Sequence, residues 1–146
     1  MRLSLLLAGF ALLTLVLAFE PVQAKEGKKK ITPTQKWSGK NGNNDASKAA
    51  PNDKVITDQK TFEGLWKAWN VKGDAPKIDF AKELVIVQLS LGGPNIPSAS
   101  YSLNENGDLT SVARSTLIGG PGFGYSLDVL PREGIKTYQG KTIEAK

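Results

Sequence analysis

The 146-residue chain contains no cysteine and no histidine, and its single methionine is Met1. Disulfide bonds are therefore excluded, although an oxidising compartment would permit them. A cysteine nucleophile, a histidine general base and every metal site built on thiolate or imidazole ligands are excluded as well. These absences remove several classes of enzyme and metalloprotein before any fold is considered.

Motifs of the remaining hydrolases are also missing. The sequence has no G-x-S-x-G, S-x-x-K or D-T-G motif, which would carry a serine nucleophile or an acidic pair. The glycine-rich residues 119–124 lack the spacing of a phosphate-binding loop, and they precede a predicted strand instead of a helix. We therefore predict a protein that is not an enzyme, with no catalytic residue, no cofactor and no metal. The alternative is a hydrolase built on a Ser–Lys or carboxylate pair.

The longest apolar run lies at the N-terminus. Arg2 precedes it, residues 3–19 are uncharged and mainly apolar, and Val22-Gln23-Ala24 places small side chains before a cleavage point. This order predicts a signal peptide over residues 1–24, so the mature protein begins at Lys25 and is secreted or periplasmic. The alternative is an uncleaved anchor, because the run is near the lower length limit of a membrane span and lysines follow it. Membrane contact is expected only in that case.

Positive charge is concentrated directly after this leader. Residues 25–52 carry seven lysines and two acidic residues, whereas residues 53–146 carry equal numbers of basic and acidic side chains. A stretch with so few bulky apolar residues cannot bury enough surface to offset the entropy of ordering it. We expect a basic flexible linker over residues 25–52 that binds an anionic envelope surface or serves as a spacer. This electrostatic tail comprises Lys25, Lys28, Lys29, Lys30, Lys36, Trp37 and Lys40. No nucleic-acid partner is predicted, because one tryptophan among lysines offers too few aromatic side chains for bases to stack on.

Residues 53–146 form the predicted folded domain. Asp58 is a predicted N-cap, and the aromatic and leucine side chains that follow recur at i, i+3, i+4 and i+7, which places them on one helix face. Period-two patterns then predict strands over residues 84–91, 99–103, 109–116 and 123–130, with a short closing hairpin. The result is an α+β fold, with one early amphipathic helix packed on an antiparallel sheet of about five or six strands. The helix-face residues are Phe62, Leu65, Trp66 and Trp69.

The order of these features resembles the PrcB C-terminal domain family. The resemblance rests on Phe62-x-x-Leu65-Trp66, Pro76-x-Ile78-Asp79-Phe80, the apolar strand at 84–91 and the glycine-rich loop before Tyr101. Such domains occur in secreted or lipid-anchored bacterial proteins, and the type member stabilises an extracellular protease complex. The resemblance implies an α+β domain without catalytic residues whose partner is another protein, such as a protease.

Two Gly/Pro-rich loops, at residues 92–97 and 118–122, interrupt the strand pattern. If both lie at the same sheet end, they form one surface suited to recognition. The predicted partner-binding residues are Ile96, Tyr101, Arg114, Phe123, Tyr125 and Arg132. Together these features predict a non-enzymatic binding or assembly module. The alternatives are a small secreted protease inhibitor that uses the same loops and an envelope polyanion binder that uses the lysine-rich tail.

Overall fold

The computed structural model describes residues 27–144, so the predicted leader at residues 1–24 and Lys25 lie outside the described residues. Within residues 27–144 the chain forms nine strands, one α-helix and one short 3-10 helix. The prediction of an α+β fold made mostly of antiparallel strands is confirmed. No helix in this range is long and apolar enough to cross a membrane.

The strands form two sheets that face each other. The strands are β1 Lys29–Ile31, β2 Gln35–Asn41, β3 Val55–Ile56, β4 Glu83–Leu91, β5 Ser98–Leu103, β6 Asp108–Arg114, β7 Phe123–Pro131, β8 Thr137–Tyr138 and β9 Lys141–Thr142. One sheet has the order β2-β7-β4-β3 and the other β1-β5-β6-β8-β9. All neighbours are antiparallel except β6 and β8. The single sheet expected from the sequence is therefore wrong, because the loops after β4 and β6 carry the chain from one sheet to the other.

The helix α1, Gln59–Ala68, covers the outer face of the four-stranded sheet. Asp58 caps its first turn, since the carboxylate Oδ1 accepts a hydrogen bond from the Thr61 amide at 2.8 Å. Trp66 and Trp69 satisfy their indole N–H groups on backbone oxygens at 2.8 Å, so both rings can be buried. The buried face of the helix and its C-cap comprises Phe62, Leu65, Trp66 and Trp69.

The two central strands, β4 and β7, are covered on both faces. They pair along nine residues, from Glu83 opposite Pro131 to Leu91 opposite Phe123. Alternate side chains face the helix and the second sheet, so each strand contributes to two apolar clusters. A strand buried on both sides needs apolar residues on both, which explains the nearly continuous apolar run of β4.

Residues 29–49 are not the flexible linker that the composition predicted. β2 pairs with β7 over seven residues, from Gln35–Val129 to Asn41–Phe123, and β1 pairs with β5. The Trp37 ring lies 5.8 Å from the ring of Phe62 and 5.5 Å from that of Trp66. An edge strand takes its hydrogen bonds from a strand that is already ordered. The linker prediction is therefore wrong, because it counted only the apolar side chains of the segment itself. A 3-10 helix, Asn44–Ala49, follows β2.

Replacing Trp37 with alanine should lower the free energy of unfolding by about 2–4 kcal/mol, because the change removes an indole that packs on two aromatic rings. Lys40→Ala on the same strand is the matched control, since its side chain is exposed, and its effect should stay within about 0.5 kcal/mol. Urea unfolding of the whole protein, followed by circular dichroism, measures both values. Equal stabilities for the two variants would contradict the packing of β2 against the helix layer.

Candidate functional site

The two Gly/Pro-rich loops lie at the same end of the molecule. Leu91 at the end of β4 is paired with Phe123 at the start of β7, and Ser98 at the start of β5 is paired with Arg114 at the end of β6. Two of the crossings between the sheets, residues 92–97 and 115–122, therefore begin and end here. Both loops therefore lie at the same sheet end, as the prediction of one shared recognition surface requires. We call this region the loop end.

A buried asparagine ties the two loops together. Asn95 is 5% exposed, and its Oδ1 accepts hydrogen bonds from the Thr116 hydroxyl at 2.8 Å and from the Ile118 amide at 3.0 Å. Its Nδ2 donates to the carbonyl oxygen of Ile118 at 2.9 Å. One side chain in the first loop therefore fixes the second loop on both sides of Leu117.

Two glycines permit the close approach of these segments. At Gly93 a Cβ atom would overlap the main chain of Ile118, and at Gly124 it would overlap the main chain of Asn95. Gly93 also has a φ of 157°, which disfavours other residues. Glycine is needed here because backbones touch, and the segments do not open a helix as a phosphate-binding loop does.

Four aliphatic side chains are exposed on these loops or at the strand end that leads into them. The exposed fractions are 68% for Leu91, 42% for Ile96, 99% for Leu117 and 63% for Ile118. Single exposed aliphatic residues are common on soluble proteins, but four on two connected loops form a group that is typical of recognition sites. We call these four residues the loop-end patch.

The structure places the predicted partner-binding residues in different parts of the molecule. Ile96 belongs to the patch, and Arg114 is exposed at the end of β6 beside the second loop. Arg132 lies at the opposite end of β7, where its Nη1 donates to the Phe80 carbonyl oxygen at 3.2 Å, so it does not belong to the loop end, and its role in partner binding stays a prediction. Period-two alternation revealed which side chains share a face of a strand. It could not reveal that the second face is covered as well.

The three aromatic residues assigned to this surface are buried, so that part of the prediction is wrong. The Trp69 ring lies 5.4 Å from the ring of Phe123 and 4.8 Å from that of Tyr125, which places both beneath the helix layer. Tyr101 lies between the two sheets. The sequence interpretation missed Leu91, Leu117 and Ile118. Leu117 and Ile118 directly precede a Gly-Gly-Pro-Gly run, and apolar residues in that position could have indicated an exposed apolar surface.

The lysines of the predicted tail lie along two neighbouring sheet edges. Lys29 and Lys30 are on β1, while Lys36 and Lys40 are on β2, and all four are exposed. β1 and β2 are each an edge strand of their sheet and only residues 32–34 join them, so these lysines lie on neighbouring parts of the surface. We call this surface, together with Lys28, the lysine edge.

A buried carboxylate lies between the two sheets. Asp128 on β7 is fully buried and accepts hydrogen bonds from the Tyr101 hydroxyl at 2.6 Å and from the Ser126 hydroxyl. The Nζ atom of Lys36 lies 3.9 Å from Oδ1 of the same carboxylate. Burial of a carboxyl group costs free energy unless the group has hydrogen-bond or ion-pair partners, and Asp128 has both kinds.

Gln88 extends this polar group across the interior. Its Nε2 lies 3.3 Å from the Tyr101 hydroxyl, 3.2 Å from the Tyr138 hydroxyl and 3.3 Å from the Ser111 hydroxyl. Ser111 and Tyr138 also share a hydrogen bond of 2.7 Å. Within residues 27–144, every buried side-chain nitrogen and oxygen has a partner, and this network joins residues of both sheets. We call these residues the inter-sheet network: Gln88, Tyr101, Ser111, Ser126, Asp128 and Tyr138.

Burial, and then the hydrogen bond to Asp128, raise the pKa of the Tyr101 hydroxyl above its ordinary value. Burial also raises the pKa of the Tyr125 hydroxyl. In the part of the chain that the structure describes, no group of three or more acidic side chains is arranged to hold a metal ion.

Comparison with protein-family models found no match, and searches of curated proteins and of solved structures found no similar chain. The resemblance to the PrcB C-terminal domain family therefore stays a prediction.

Tyr101→Phe should lower the free energy of unfolding by about 1–3 kcal/mol at neutral pH, because it removes a hydrogen bond to a buried carboxylate. Tyr138→Phe is the control, since its hydroxyl contacts neutral partners only, and it should cost less. Chemical unfolding of both variants measures the difference. Equal losses of stability in the two variants would contradict the expectation that the hydrogen bond to the buried carboxylate contributes more than those to neutral partners.

The same hydroxyl makes stability depend on alkaline pH. The folded state raises the pKa of Tyr101, so its contribution is fully present below the unfolded value of about 10 and is lost as the pH rises further. The wild type should therefore lose stability more steeply than Tyr101→Phe between about pH 9 and 11. If the free energy of unfolding falls with pH equally steeply in the wild type and in Tyr101→Phe across this range, the raised pKa of Tyr101 is contradicted.

Proposed function

We propose that the protein is a non-enzymatic extracytoplasmic binding or assembly module that recognises another protein through the loop-end patch. The observation that supports this proposal is the exposure of four aliphatic side chains on two loops that are fixed to each other. Exposed apolar surface is costly in water, and its burial against a partner is the favourable term in most protein associations.

The rigidity of the loops favours binding. Ordering a mobile loop at an interface costs free energy, and a loop that is already ordered avoids most of that cost. The hydrogen bonds of Asn95 and the close backbone contact at Gly93 fix the patch before any partner arrives. Arg114 at the margin adds a charged residue of the kind that surrounds apolar interface centres.

The patch suits a macromolecule better than a small ligand. Leu117 is 99% exposed, so it lines no cavity of its own chain, and a partner must supply the pocket that receives it. Small molecules bind in concave sites that enclose most of their surface. The resemblance to the PrcB C-terminal domain family, where the type member stabilises a protease complex, agrees with a protein partner.

The double variant Leu91→Ser/Ile96→Ser should weaken partner binding at least about tenfold, because it removes two apolar contacts of the patch. A photo-crosslinker at Ile118 in envelope extract first identifies the partner, and calorimetry with the purified partner then measures affinity. Val112→Ser is the control, because Val112 is 58% exposed on β6 but lies outside the patch. The Val112→Ser variant should bind the partner with unchanged affinity. A partner that binds the double variant as tightly as the wild type would refute the proposal.

Attachment to an anionic envelope surface through the lysine edge is a second candidate function. The specific observation is that the exposed lysines lie on two edge strands, β1 and β2, which only residues 32–34 join. Within residues 27–144, neither Lys30 nor Lys40 forms an ion pair, so their charge is available to a polyanion.

Lys30→Gln/Lys40→Gln should weaken binding to vesicles of phosphatidylglycerol and phosphatidylethanolamine several-fold. The wild type and the double variant should both bind less as the ionic strength rises. The matched control is Lys60→Gln/Lys67→Gln on the exposed side of α1, which lowers the net charge equally. Vesicle co-sedimentation measures the bound fraction. Equal losses in the two double variants would show that only net charge matters and that the lysine edge is not a site.

A further inference from the structure

The second loop carries a straight segment with one fully exposed side chain. Residues 115–119 continue from β6 without a turn or a bend. Leu117 lies at the centre of this segment and is 99% exposed. The segment thus presents a leucine from an extended backbone at the loop end.

Fixed contacts hold the segment on both sides of Leu117. On one side the Thr116 hydroxyl donates to Asn95, and the Ser115 hydroxyl lies 3.0 Å from that of Ser90 on β4. On the other side both the N–H and the carbonyl oxygen of Ile118 bond to the Asn95 amide. The extended shape therefore belongs to the free protein and does not have to be induced.

The main chain of Leu117 is available to a partner. Its N–H and carbonyl oxygen make no hydrogen bond within the described range of residues 27–144. Protein clefts that bind extended peptides pair with such main-chain groups and place a side chain in a specificity pocket. The single fully exposed side chain of this segment, Leu117, makes a short cleft with one pocket a better match than a long sheet edge.

We propose that residues 115–119 enter the substrate cleft of a protease, with Leu117 in an apolar specificity pocket, so that the protein acts as an inhibitor of that protease. This inference rests on the proposed loop-end function and names its partner class. Protease–inhibitor complexes form with little backbone movement, and a loop that is already fixed matches that mode of binding.

The hydrogen bonds of Asn95 explain why the bound loop resists cleavage. Attack on the Leu117 carbonyl carbon would form an acyl bond to the protease nucleophile, break the C–N bond to Ile118 and pass a proton to the Ile118 nitrogen. That nitrogen is the atom held by Asn95 Oδ1. The new amine would stay beside the acyl carbon at high effective concentration, which favours resynthesis of the peptide bond over hydrolysis.

The first test uses proteases with opposite pockets. The full protein should block hydrolysis of a small chromogenic substrate by chymotrypsin or subtilisin, whose pockets accept apolar side chains, and should not block trypsin. Leu117→Asp should weaken this inhibition by at least about 30-fold, while the control Val112→Asp should leave it unchanged. Leu117→Arg should transfer inhibition to trypsin. No inhibition of either apolar-pocket protease, or inhibition insensitive to Leu117→Asp, would overturn the inference.

The second test examines the positioning role of Asn95. Mass spectrometry should show slow cleavage between Leu117 and Ile118 in the wild type and fast cleavage with loss of inhibition in Asn95→Ala. Thr116→Val removes a single hydrogen bond and should be intermediate, which keeps the test informative if Asn95→Ala fails to fold. Equally fast cleavage in the wild type and in Thr116→Val would overturn the inference. A partner that needs Leu91 and Ile96 but leaves its active site free would overturn it too, and the proposed binding function would stand.

Discussion

The pairing of β4 with β7 is the interaction on which the remaining structure depends. These strands form the centre of the four-stranded sheet, and every other layer rests on one of their faces. The aromatic helix covers one face and the second sheet covers the other, so most side chains of the pair are removed from water. A chain without disulfides obtains its stability from this arrangement, because two apolar interfaces share one pair of strands.

The inter-sheet network determines how the two sheets align. Asp128 on β7 and Tyr101 on β5 belong to different sheets, and sliding one sheet past the other would leave a buried carboxylate without its partner. Both loops of the loop end cross between the sheets. A fixed alignment of the sheets therefore fixes the distance between the loops, and the buried hydrogen bonds contribute indirectly to the rigidity of the patch.

Local signals predicted the fold where one segment contained the whole pattern. The helix was readable because Asp58 and the spacing of Phe62 and Trp66 lie within a single stretch of sequence. β2 was missed because its order comes from pairing with β7, more than eighty residues away, and its only large apolar side chain is Trp37. For the site, the sequence located both loops and Ile96. It could not show that Phe123 lies under the helix layer, since burial of a second face is decided by other segments.

The contrast between Leu117 and its supports has an evolutionary consequence. Asn95, Gly93 and Gly124 are constrained by contacts within the molecule, whereas the Leu117 side chain meets only solvent. Selection could therefore exchange the residue at this position with almost no effect on folding stability. A scaffold of this kind can acquire new partners through single codon changes, because affinity and foldedness are encoded at separate positions.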